Sequence, residues 1–185
     1  MYKNGNFDSE NKPNYKKAIE YFKLGIEKEN VDGYLNLANL YENELGVEKN
    51  EEKLKELYLE ASELESDEAM MKLGILYEKE EDFENAKEYY EKAAAFENPD
   101  ALYRLGIFYK ESKGVEQNLK KSFAYFKEAK EIYEEFEEEN DDSEHISTML
   151  IILSQELEIL LKNDPNLEHD HDHHDHEHDE EVIGG

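Results

Sequence analysis

The densest chemistry in the sequence lies at its C-terminal end, where His169, His171, His173, His174, His176 and His178 alternate with Asp and Glu over ten residues. Neutral imidazole donates a nitrogen lone pair and the interleaved carboxylates offset an ion's charge. The run therefore predicts capacity for borderline divalent ions such as Ni²⁺ and Zn²⁺, with little discrimination among them. Two readings stay open: dedicated metal handling, and adventitious binding by a low-complexity acidic tail. No other feature requires a cofactor. The second candidate is a set of equivalent positions, Asn36, Lys72 and Arg104, spaced 36 and then 32 residues apart, with Arg104 the only arginine in the chain. Beside them stand Leu35, Met71 and Tyr103, and one helical turn later come Asn39, Ile75 and Ile107. An Asn amide can hydrogen-bond an extended peptide backbone, and Arg can take a carboxylate bidentately. Together the nine residues predict a groove for an extended peptide carrying apolar and acidic residues. The competing reading makes Lys72 and Arg104 solubilising charges and packs the Leu, Met and Tyr set between neighbouring elements.

Catalysis is not predicted. His145 is the one histidine outside the tail, there is no cysteine, and nothing matches a nucleophile elbow, a phosphate-cradling glycine loop or a zinc-binding His-Glu-x-x-His helix. Nor is nucleic acid an expected partner. With 49 acidic against 21 basic residues and a net charge of -28, an encounter with phosphates or an anionic membrane begins in like-charge repulsion. The longest apolar run, Met149 to Leu153, is far short of the roughly 20 residues of a membrane span, and Met1 to Lys12 lacks the apolar stretch of a signal peptide. The default expectation is a cytoplasmic protein whose oligomeric state the sequence leaves open.

What positions the candidate residues is a repeat. Gly33 to Tyr41, Ala69 to Tyr77 and Ala101 to Tyr109 share one internal spacing at offsets of 36 and 32 residues. A second pattern follows each: Leu54, Leu57, Tyr58, Ala61; then Ala86, Tyr89, Tyr90, Ala93; then Ser122, Tyr125, Phe126, Ala129. An earlier copy reads Ala18, Tyr21, Phe22, Gly25. Both patterns recur at i, i+3, i+4 and i+7, the spacing of one helical face, so each repeat reads as a pair of helices. Ala38, Gly74 and Gly106 in the first helix allow close approach of a neighbour, and the Tyr three residues later fills the space between helices.

The run Glu91-Lys-Ala-Ala-Ala-Phe-Glu-Asn-Pro-Asp-Ala-Leu-Tyr-Arg-Leu-Gly-Ile-Phe-Tyr-Lys-Glu-Ser-Lys-Gly-Val115, continuing to Lys121, resembles the Sel1-like repeat family, a longer-looped relative of the tetratricopeptide repeat. Leu37 to Val47 matches the same loop, whereas Glu78 to Ala86 is four residues shorter and is similar to an ordinary tetratricopeptide turn. The resemblance implies first helices lining a concave surface and a role in protein recognition.

The predicted fold is all-α: a short right-handed α-solenoid with a C-terminal capping helix and a disordered tail. Residues 1–13 read as a partial first repeat or an extension, 14–140 as the repeats, 141–162 as the capping helix and 163–185 as a disordered acidic, His-rich tail. Within the cap, Ser143 reads as the N-cap, and Ile146, Leu150, Leu153, Leu157 and Leu160 form the buried stripe. The expected function is a non-catalytic adaptor binding a protein or extended peptide. The alternative is a metal-buffering or metal-delivery protein that uses the tail.

Calorimetric titration with Ni²⁺ or Zn²⁺ should show binding to the full chain and none to a version ending at Asn163. Binding should fade below about pH 6, as imidazoles take up protons and cease to donate.

Overall fold

The computed structural model describes residues 6–7, 13–138 and 144–168. Among them are eight α-helices: α1 (Tyr15–Ile26), α2 (Val31–Glu42), α3 (Glu51–Glu63), α4 (Asp67–Lys79), α5 (Phe83–Ala94), α6 (Pro99–Glu111), α7 (Leu119–Glu138) and α8 (Glu144–Asn163). Each packs on the next in the chain, which is the α-solenoid the registered copies predict. One departure from an all-α chain lies at the start. There β1 (Asn6–Phe7) pairs antiparallel with β2 (Pro13–Asn14), and Asn14 both closes the strand pair and caps α1 by accepting from the Lys17 N–H at 3.1 Å.

Four of the connections are three or four residues long and follow one rule. Glu29, Glu65, Glu81 and Glu97 adopt left-handed backbone with φ of 53°, 61°, 61° and 58°. The N–H of the next residue turns back to the preceding helix, as Asp82 N does to Tyr77 O at 2.9 Å. That same residue (Asn30, Ser66, Asp82 or Asn98) then caps the following helix with its side chain. The two longer loops cross at Gly46 and Gly114, with φ of +72° and +64°. A Cβ at Gly46 would stand 2.4 Å from Tyr15 Cβ, and one at Gly114 would stand 2.6 Å from Phe83 Cβ, so each loop lies directly on the start of the preceding second helix.

Within a repeat the helices meet through a ring laid on a glycine. A Cβ on Gly74 would come 2.4 Å from Cε1 of Tyr90, and one on Gly106 2.4 Å from Cε1 of Phe126. The close approach expected of these glycines is therefore an aromatic side chain on backbone. Direct contact of backbones occurs at Gly33, whose Cβ would lie 2.8 Å from Ile26 N. The tyrosines three residues on behave as expected: Tyr77 stacks on Tyr89 at 5.4 Å and Tyr109 on Tyr125 at 5.7 Å.

At the far end α7 continues through Ile132, Tyr133 and Phe136, and α8 buries Ile146, Met149, Leu153 and Leu160. Leu150 and Leu157, also expected on the stripe, are half-buried at its edge. Ser143 lies outside the described residues. The boundary expected after Lys162 needs correction. The chain folds on through a 3₁₀ turn, Pro165–Glu168, which buries Leu167 against the last core cluster. The acidic composition of the tail hid this one apolar anchor.

Replacing Gly106 by Leu should lower stability by about 1–3 kcal/mol in urea denaturation, because the buried Phe126 ring cannot vacate its place. Gly106→Ala should cost less, since Ala38 carries a Cβ at the same register in the first repeat.

Candidate functional site

Helices α2, α4 and α6 place the nine predicted groove residues in corresponding rows, but most of these side chains already have partners. Leu35 packs against the first core cluster. Met71 lies between the second and third repeats, and Ile107 packs against the cluster shared with α7 and α8. Tyr103 tilts on Phe126 at 5.7 Å. The Asn36 amide donates to Asp32 O at 2.6 Å in its own helix. Lys72 Nζ reaches Glu42 Oε2 at 3.0 Å, and Arg104 Nη1 lies 3.5 Å from Glu78 Oε2. Each cation thus joins its repeat to the one before. Asn39 and Ile75 remain exposed on the row.

Sequence reasoning missed the acceptors. Glu42 and Glu78 stand six residues after Asn36 and Lys72, and each is a meeting point. Tyr58 donates its hydroxyl to Glu42 at 3.3 Å; Tyr90 donates to Glu78 at 2.8 Å. Glu78 is only 16% exposed and also takes Lys113 at 3.1 Å. In the third repeat the equivalent position is Lys110, which bonds Glu156 of α8 with the charges reversed. Tyr133 completes the series by donating to Asp100 at 2.7 Å, with His145 Nε2 at 3.3 Å from both groups. Burial first, and the neighbouring carboxylates second, push the Tyr58, Tyr90 and Tyr133 hydroxyls well above the ordinary tyrosine range. The signal was in the sequence, in the 36-residue spacing of the two glutamates, but acidic residues are too common in this chain for one column to stand out.

Among the described residues no group of three or more His, Asp or Glu is arranged to hold a metal ion, and His169, His171, His173, His174, His176 and His178 lie outside them. No helix among them is long and apolar enough to cross a membrane.

The Sel1 repeat pattern matches residues 1–30, 31–66, 67–95 and 99–131. The chain belongs to the Sel1 repeat family. The last three matches correspond to the pairs α2–α3, α4–α5 and α6–α7, and the first contains α1. Solved structures show the same fold. A Sel1 repeat protein from Oxalobacter formigenes is 24% identical with a TM-score of 0.58, covering 62% of this chain and 48% of its own. A protective antigen of uropathogenic Escherichia coli displaying an SLR fold is 24% identical with a TM-score of 0.58, covering 83% of this chain and 41% of its own. Helicobacter pylori cysteine rich protein B is 28% identical with a TM-score of 0.50, covering 73% of this chain and 93% of its own. The chain spans less than half the length of the first two. No curated protein sequence matches it. Sel1 repeat proteins are generally protein–protein interaction scaffolds.

For this Sel1 array, Glu78→Ala should destabilise by about 1–3 kcal/mol in urea denaturation, because the buried Tyr90 hydroxyl loses its acceptor. Lys72→Glu, in a half-exposed pair, should cost about 1 kcal/mol or less. Equal stability of Glu78→Ala and the wild type would remove Glu78 as a joint between repeats.

Proposed function

We propose that the protein is a non-catalytic adaptor that holds a partner protein, or an extended segment of one, along its row of first helices. The observation that carries this is the pair Asn39 and Ile75: a polar amide and an apolar side chain left exposed on a row whose other members are engaged in packing, a hydrogen bond or ion pairs. The charge of Lys72 and Arg104 is partly met by Glu42 and Glu78, so an acidic peptide would compete with these half-exposed pairs. Recognition then rests on apolar contact at Ile75 and hydrogen bonding at Asn39, with the engaged residues acting as the frame.

The second reading is metal buffering or delivery with Ni²⁺ or Zn²⁺ on the tail, favoured by six histidines within His169 to His178. It is compatible with the first, because a solenoid that docks a client can also carry the ion.

A photo-crosslinker placed at position 75 should capture the partner, whereas one at Glu84, on the exposed side of α5, should not. Ile75→Glu should abolish binding without changing the melting temperature. Capture from position 84 but not from 75 would place the interface on the second helices.

A further inference from the structure

The two outer helices of the described array differ from the helices between them. α1 carries the second-helix pattern, and at its position 24 it has Leu, which is 51% exposed. The equivalent residues of the later second helices, 36, 68 and 104 positions on, are the charged Glu60, Lys92 and Glu128. One turn before Leu24 on the same stripe lies Tyr21, 56% exposed. The charge of α1 is also unlike the rest of the chain: Lys16, Lys17 and Lys23 stand against one glutamate, and these three lysines make no ion pair among the described residues.

At the opposite end α8 follows α7 in the place of the next first helix. Its outer stripe carries Ile151 and Ile159, 60% and 48% exposed and two turns apart. Ile151 and Leu150 line an open cleft of about 520 Å³ with Glu137 of α7. From Glu131 to Glu138, α7 holds five glutamates and no lysine. An apolar stripe edged by lysines thus ends one side of the array, and an apolar stripe edged by glutamates ends the other.

We propose that these two surfaces bind one another between copies of this chain: α1 of one copy docks on α8 and the end of α7 of the next. Tyr21 and Leu24 then sit against the Ile151 cleft, with the α1 lysines facing Glu137 and its neighbours. The contact is heterologous, so each copy keeps one free surface of each kind and the assembly grows head to tail. Opposite charge at the contact sets its orientation, against the long-range repulsion of two copies that each carry a net charge of -28.

Sedimentation velocity on the full 185-residue chain across a wide concentration range tests this. Species larger than a dimer should accumulate with concentration at moderate salt, where the long-range repulsion between copies is screened. Leu24→Glu and Ile151→Glu alter exposed positions, so circular dichroism should show both variants folded. Each should weaken self-association at least about tenfold, as expected for placing a charge in a small apolar contact. An equimolar mixture of the two should form a 1:1 heterodimer, because one variant keeps a working α8 and the other a working α1. A wild type that stays monomeric at every concentration, a dimer that survives Leu24→Glu, or a mixture that forms no heterodimer would each overturn the proposal.

Discussion

The hydrogen bond from the buried Tyr90 hydroxyl to Glu78 is the joint on which the middle of the solenoid depends. The Tyr90 ring lies on Gly74 and holds α5 to α4 within one repeat, while its hydroxyl fixes the carboxylate that receives Arg104 and Lys113 from the next. Packing inside a repeat and connection between repeats therefore pass through the same two side chains. The first repeat builds the same joint from Tyr58, Glu42 and Lys72. In the third repeat the ring on the glycine is Phe126, which has no hydroxyl. The bond is then made two turns later on α7, by Tyr133 to Asp100, where His145 of the capping helix joins it. A repeat array needs each unit to bury its apolar face on a neighbour; here the polar ends of those faces are closed by tyrosine and carboxylate.

This arrangement decides what the surface can do. The basic residues are few and most are used locally. Lys87–Glu91, Lys92–Glu88 and Lys130–Glu134 are one-turn pairs on second helices, and Lys72, Arg104 and Lys110 join helices of different repeats. The excess acid is left facing water, where it opposes contact with other polyanions. On the row of first helices this leaves Ile75 and Asn39 exposed.

The sequence made the repeats legible because small and aromatic residues recur at fixed offsets, and that pattern is a direct image of the packed face. It also marked the nine residues of the first-helix row. Their engagement was not legible, because the partner of Lys72 lies 30 residues away and that of Arg104 lies 26 away, on another repeat. Glu65 and its counterparts were opaque for another reason: a left-handed residue after a helix is usually Gly or Asn, and Glu at that place reads as one more surface charge. Leu167 was lost in the acidic average of the tail.

The account rests on tyrosine hydroxyls held between helices, and tyrosine ionisation observes them directly. A folded-state pKa raised above the ordinary value near 10 stabilises the protein fully below that pH, and the contribution is lost as the pH rises through the folded value. Following ultraviolet absorbance and helical circular dichroism together through an alkaline titration should show Tyr58, Tyr90 and Tyr133 ionising only as the helices are lost. This late component should shrink in Tyr90→Phe. Ionisation of all the tyrosines near pH 10 with full helicity retained would contradict the account.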